Sequence, residues 1–376
     1  MAADATGVLS SYGLNGGVPI SIDAIIDLID PLDLPLQNGY VLGGAPALSN
    51  IPIDNKKIEW QDDTLLDAVS TINEGGEYGI SDVTLTATDG TRFKAGDVLY
   101  IEDEALYVSS VSTNNLTVIR AFAGTTAAAH ADGKDIICIG QALPEGNDAI
   151  EASHVDRDRR HNFTQIFGPR KVQATGTEQV MPKYGLVRGG EMLYQFDKEM
   201  IELAKMVERA LIYGTRYDDA VDQRTMGGFM YYISTNENST GTALTEDLIG
   251  DQIAAMYNAG STPGQGFTMA LNLANKRVLN ALGTVEVQRA DNGRGTIVDY
   301  MDFDVGRVMF VVSRYMRNSD AIMYTADQCA LATLRGWRAE PLAKTGDADS
   351  LMAVAELSFR LKRQKYAAKF TGLTTT

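Results

Sequence analysis

Between residues 191 and 213, apolar side chains recur at alternating steps of three and four: Leu193, Phe196, Met200, Leu203, Val207 and Ala210. Asp197, Lys198, Glu202, Lys205 and Arg209 occupy the other faces. This spacing predicts a helix over Glu191–Tyr213, with Gly190 before it and Gly214 as its C′ stop. At 1.5 Å per residue the rod would be roughly 35 Å long. Only about three heptads are present, which favours a long helix packed on a sheet over a coiled coil. Further helices are predicted at Glu246–Asn258, ending at Gly260, and at Leu273–Leu282, ending at Gly283. A short one is predicted at Ser21–Ile29, capped by Ser21, striped by Ile22, Ile25, Ile26 and Ile29, and stopped by Pro31.

Alternation of period two predicts strands at Thr296–Phe303 and Arg307–Ser313, joined across 304–306, and at 321–324, 330–334 and 352–361. Helices and strands mix without a regular βαβ repeat, so the fold class is α+β. Residues 81–141 read as a unit of their own. Val83 and Leu85 alternate with Thr84 and Thr86, and Asp89-Gly90 is a tight-turn pair. Short apolar runs follow at 98–101, 105–108, 116–119 and 136–139. Such closely spaced strands suggest a small barrel or sandwich, inserted at the tip of a two-armed excursion, 57–80 and 142–184. Residues 1–56, punctuated by Gly and Pro, read as an arm. Its Leu32, Leu34, Leu36, Val41 and Leu42 need a surface to cover, such as another molecule could offer.

With 376 residues, 44% apolar and 22% charged, the chain is globular and long enough for two or three packed units. Cys138 and Cys329 are its only cysteines, which excludes a disulfide framework or a four-cysteine zinc site. The net charge of −16 lies wholly in residues 1–150, with 22 acidic and 6 basic residues; the remainder has 27 of each. The first basic residue is Lys56, so neither a targeting presequence nor a basic DNA-binding arm is expected at the N-terminal end. No apolar run approaches membrane-spanning length. The expectation is a soluble, non-secreted, cytosolic protein with no membrane partner. The two arms of the excursion carry opposite charge. Residues 57–80 have six acids and one lysine, whereas 151–184 have four acids and six bases. This reads as an electrostatic match, within one chain or between neighbours, set against the plainer reading of two solvated faces.

Motifs for chemistry are missing. There is no P-loop, GxSxG elbow or HExxH, and Gly264-Gln265-Gly266 reads as a turn. His154 and His161 flank the run Asp156-Arg157-Asp158-Arg159-Arg160, where arginines compete for the carboxylates, so a solvated or interfacial charge run is expected rather than a metal site. Asp302 and Asp304 read as a hairpin end, Cys138 as a buried apolar residue, and Met192, Met200 and Met206 as packing. No catalytic, cofactor-binding or metal-binding residue is expected, and no enzyme activity.

Several strings, in order and spacing, resemble the tailed-phage major capsid proteins of the Hong Kong ninety-seven fold, in the branch with a β domain inserted in the extended loop. They are IIDLIDPLDLP (Ile25–Pro35), IEWQDDTL (Ile58–Leu65), the segment from VTLTATDGTRFKAGDVLYI to TVIRAFAGTTAAAHADG, HNFTQIFGPRKVQATGT (His161–Thr177), KEMIELAKMVERALIYG (Lys198–Gly214) with Glu208, and LAKTGDADSLMAVAELSF (Leu342–Phe359). The resemblance implies an N-terminal arm (1–56), an extended loop (57–80 and 142–184), an inserted β domain (81–141), a peripheral domain with a spine helix (185–240 and 336–376) and an axial domain (241–335). It also implies self-assembly, as hexamers and pentamers, into the icosahedral head of a double-stranded DNA phage. Partners would be a portal, a possible separate scaffold or decoration protein, and DNA held by non-specific contact only. The protein would assemble in the host cytoplasm and reside in the virion. Trp60, Arg157, Arg159, Arg160 and Lys171 are the expected subunit-interface residues. Lys171 or Lys183 lies where some members cross-link, though no partner motif is visible. No N-terminal scaffolding segment is expected. The spine helix, with five acids and three bases over 191–209, would weakly repel phosphates. The alternatives are an encapsulin-like nanocompartment shell and, from another class, a soluble α+β enzyme.

Overall fold

The computed structural model describes residues 33–39, 46–63, 69–150, 157–181, 191–239, 241–261, 266–281, 286–290, 296–344 and 346–374. The expected helix at Ser21–Ile29, and Leu32, Val41, Leu42, His154 and Lys183, lie outside them. The chain divides into two compact units, residues 61–159 and the remainder.

The smaller unit is all β. Its sheet runs Val69–Thr71, Asp135–Gln141, Asp97–Ile101, Glu104–Ser112, Asn115–Ile119, Thr84–Thr86, with every pairing antiparallel. An antiparallel bridge between Ile72 and Ala87 ties the two edge strands, so the sheet closes into a barrel and leaves no free edge. Leu85, Leu99, Ile101, Leu106, Val108, Leu116 and Ile136 have no exposed surface and fill its interior, as period-two alternation requires. The strand Val69–Thr71 is too short to announce itself by pattern, so the barrel begins earlier than residue 81. Cys138 is only half-buried, at the margin of this core, because it lies on the strand that bulges opposite Val98 and Leu99.

The larger unit holds the helix Glu191–Tyr213, the range its periodicity predicts. A four-stranded sheet runs Ser49–Pro52, Cys329–Pro341, Ala348–Leu361, Gln165–Thr175. A seven-stranded sheet runs Glu237–Asn238, Ala368–Phe370, Ala321–Tyr324, Phe267–Leu271, Gly306–Val312, Thr296–Phe303, Glu286–Ala290. Strands 329–341 and 348–361 are longer than their apolar runs, and the first crosses the domain border expected at 335/336. The short strands 237–238 and 368–370 join the seven-stranded sheet despite lying outside 241–335.

The middle of the seven-stranded sheet is covered on both faces, which is why Phe267–Leu271 and Ala321–Tyr324 are buried at every position. Phe267, Met269, Leu271, Val308, Phe310 and Met323 pack with Ile249, Ile253, Met256 and Leu279 of the helices Glu246–Asn258 and Leu273–Ala281. On the other face Ala270, Val311, Ile322 and Tyr324 share a core with Leu203, Val207 and Leu211 of the long helix and with Ala332, Ala353 and Phe359 of the four-stranded sheet.

Two helix ends differ instructively. Glu246–Asn258 ends in a Schellman motif: Gly260 has φ +95°, its N–H donates to the Tyr257 carbonyl, and the Ser261 N–H donates to that of Met256. Gly214, expected to play the same part, is not left-handed. It is needed for close approach, because a Cβ there would meet the Ala210 carbonyl oxygen and lie 2.5 Å from that of Met226. The apolar stripe of the long helix also turns further than a heptad reading allows. Leu193 is 44% exposed, while Glu208, Leu211 and Ile212 are buried. A helix drifts by about 20° per heptad against a 3.5-residue stripe, and over 23 residues the buried face moves on.

Candidate assembly surfaces

Residues 33–39 are fastened to this chain's own core. Pro35–Asn38 form one helical turn in which Leu36 is fully buried, and Leu34 just before it is nearly so. Leu36 donates its backbone N–H to Glu208 Oε1 (2.7 Å). Gln37 Nε2 donates to Glu208 Oε2 (3.0 Å) and to the Ala204 carbonyl (2.9 Å). Glu208 has no exposed surface. Burial pushes its carboxyl up to about 7, with nearby Asp33 adding to the rise and the donors Leu36 and Gln37 restraining it. Asp33 itself pairs with Arg314 (3.2 Å).

A second anchor joins three strands and a turn. Thr164 Oγ1 donates to Glu356 Oε1 (2.7 Å), Arg335 Nε donates to Oε2 (2.8 Å), and Arg224 closes on Oε1. Arg224 Nε also donates to the Thr164 carbonyl (2.9 Å). Burial would raise the Glu356 carboxyl, but Thr164 and the two arginines outweigh it and hold it below the usual range. The barrel has a similar knot. Glu104, fully buried, accepts from Arg120 Nε (2.9 Å) and Nη2 (2.6 Å) and from the backbone of Ala121 and Ala128 (3.1 Å each). His130 places Nε2 3.0 Å from Glu104 Oε2 and Nδ1 2.8 Å from Glu102 Oε2. Burial opposes ionisation of Glu104, yet these donors bring its carboxyl down to about 2. Arg120 Nη1 also donates to the Gly79 carbonyl (2.6 Å), so the knot pins the loop 73–82 to the barrel.

Both knots commit their carboxylate oxygens to fixed donors, so they hold structure together. Among the described residues, no group of three or more His, Cys, Asp or Glu is arranged to hold a metal ion. No helix among them is long and apolar enough to cross a membrane. Asp302 lies at a hairpin end, as expected, gripped by both Nε (2.7 Å) and Nη2 (3.0 Å) of Arg307.

The five expected interface residues fall in different settings. Trp60 belongs to this chain's own core: it is 6% exposed and its ring lies 5.5 Å from that of Tyr232. Its ring is packed inward among this chain's own residues. Arg157 and Arg159 are exposed near the strand Asp158–Phe163, which pairs with Lys57–Asp62. Arg157 meets Asp63 at 3.2 Å, so the opposite charges of the two arms are matched inside one chain at that point. Arg160 is half-buried and Lys171 exposed on the strand Gln165–Thr175. Glu104, Arg120 and Glu356 escaped the sequence reading because isolated charges in alternating strands look like solvent-facing positions.

Residues 5–374 match the family described as the SU10 major capsid protein. No curated protein matches. Among solved structures, the capsid of a native GTA particle matches at 9% identity with a TM-score of 0.52, covering 97% of each chain. That likeness shows a shared mixed α/β capsid fold. The capsid of Myoviridae phage XM1 matches at 11% identity and TM-score 0.46, covering 98% of this chain and 100% of that one. The holo-SrpI encapsulin complex from Synechococcus elongatus matches at 9% identity and TM-score 0.42, covering 59% and 79%.

Proposed function

Because the chain belongs to the SU10 major capsid protein family, we propose how its parts serve the head shell that such a protein builds. It is a structural protein of the virion capsid, and many copies associating with one another make the wall. The observation that carries this is the family match across residues 5–374.

The finer reading follows from the physics of the chain. The long helix Glu191–Tyr213 acts as the spine of each subunit, and the barrel acts as a domain inserted in an extended loop. Copies gather as hexamers and pentamers of an icosahedral lattice, a closed symmetry that repeats one set of contacts. Arg157, Arg159, Arg160 and Lys171 contribute to contacts with acidic residues of adjacent subunits. Assembly takes place in the host cytoplasm, with a portal and with a separate scaffold or decoration protein as partners. Double-stranded DNA is enclosed by non-specific contact only, since a chain of net charge −16 does not attract phosphate.

Electron microscopy and sedimentation of the expressed protein test the reading. Closed particles in the megadalton range are expected. A chain that stays monomeric or dimeric under every condition would overturn it, and particles filled with a cargo enzyme in place of DNA would move it to a nanocompartment.

A further inference from the structure

Part of the outer wall of the barrel is apolar where a solvated sheet face should alternate to polar. Val69, Ile137, Tyr100 and Ala105 lie in direct register across four neighbouring strands. Val98, Tyr107 and Ile119 form the adjacent row, in which Val98, like Ala105 of the first row, is already covered by this chain. Residues in register share a face, and this face is the outward one, because the alternate positions Leu99, Leu106, Val108 and Ile136 fill the interior. Ile119 is 55% exposed, Ile137 41% and Ile139, beside the bulge, 61%. Phe122 extends the band by stacking on Tyr107 at 5.4 Å. Five strands spaced by about 4.8 Å make the band roughly 19 Å across, the scale of a short helix.

Charge decides what can cover it. Residues 61–159 contain 18 acidic and 6 basic residues, a net charge of −12. Four of the six bases are tied to carboxylates of the same unit: Arg92 to Asp89, Arg120 to Glu104, Lys134 to Glu102 and Arg157 to Asp63. A second barrel would bring −12 against −12. The rest of the chain, with 27 basic and 31 acidic residues, is itself net negative. An apolar patch of this kind marks an interaction surface, and the field around it selects a cation.

We propose that the barrel wall centred on Tyr107, Ile119 and Ile137 docks a protein other than this chain, through a segment with one apolar face and a basic rim. This goes beyond the shell reading and does not depend on it.

The test uses the full-length chain and a fluorescein-labelled amphipathic Leu/Lys helical peptide of about 18 residues, followed by anisotropy at about 0.15 M salt. A Leu/Glu peptide of the same pattern is the control. The wild-type chain binds the Leu/Lys peptide and not the Leu/Glu one. The double variant Ile119→Thr/Ile137→Thr, β-branched like the original, loses roughly tenfold in affinity with little change in thermal unfolding. Ile139→Ser alone gives a smaller loss and serves if the double variant misfolds. Equal binding by wild type and both variants would reduce the effect to charge alone and overturn the proposal. So would equal binding of the Leu/Glu peptide, or a self-association of the chain that the double variant abolishes.

Discussion

At the scale of single residues, Glu208 sets a pH dependence that can be isolated. Its carboxyl is pushed up to about 7 from an ordinary 4.5, mainly by burial. A raised folded-state value means protonation favours the folded form. The stabilisation is complete below about 4.5 and is lost as pH rises through about 7. The shift corresponds to roughly 3 kcal/mol between the two limits. Asp33, Arg314, Lys205, Arg209, Tyr315 and Tyr324 are charged and titratable groups around this anchor, and none is removed by Glu208→Gln. Chemical denaturation of wild type and Glu208→Gln at pH 5 and pH 8 should show the wild type losing about 2–3 kcal/mol relative to the variant as pH rises. A constant difference between the two pH values would show that Glu208 does not titrate in this window. Glu356 and Glu104 work in the opposite sense. Their lowered carboxyls stabilise the fold above the ordinary carboxylate range and lose that effect on acidification, which is why the comparison must be made against the variant.

At the scale of elements, the long helix and the barrel each rest on one buried contact that can be broken. Leu203 is 1% exposed in the core beneath the helix, so Leu203→Asp buries an unpaired charge and should cost upward of about 3 kcal/mol. Insoluble or unfolded protein is expected, and a soluble variant with native circular dichroism would show that this face is not core. In the barrel, Arg120→Ala leaves Glu104 desolvated without its counter-charge, at about 3–5 kcal/mol. Limited proteolysis should then cut within 73–82 and 120–134, the loops Arg120 and His130 hold, before it cuts the larger unit. These elements were unequally legible in the sequence. The helix Glu191–Tyr213 was readable because its apolar positions recur at helical spacing, and the strands 296–303 and 321–324 because apolar residues dominate them. The strand Val69–Thr71 was not, having three residues and its partner more than 60 positions away. Glu208 is named by the family resemblance, but its partner Leu36, 172 residues distant, is invisible to local pattern. The setting of Trp60 was hidden for a related reason: Tyr232, which packs against its ring, comes from more than 170 positions away.

At the scale of the whole molecule, two units with no shared core and an uneven charge predict unfolding in two steps. The barrel closes on itself around Leu99, Leu106, Leu116 and Ile136, and none of its core residues is shared with the cores of the larger unit. Contiguous cooperative units with their own cores open independently, so a single two-state transition is not expected. The charge split then labels the steps. A net −12 on residues 61–159 repels itself over a Debye length of about 30 Å at 0.01 M salt and about 3 Å at 1 M. Residues 1–60 and 160–376 carry only −4 on a larger body, with 27 bases to 31 acids. Calorimetry of unassembled chain should therefore show two transitions, and raising salt from 0.01 to 0.5 M should move one upward by several degrees more than the other. The salt-sensitive transition is the barrel, and Arg120→Ala should lower that one alone. One indivisible transition, or equal salt shifts in both, would show that the two units unfold as a single body.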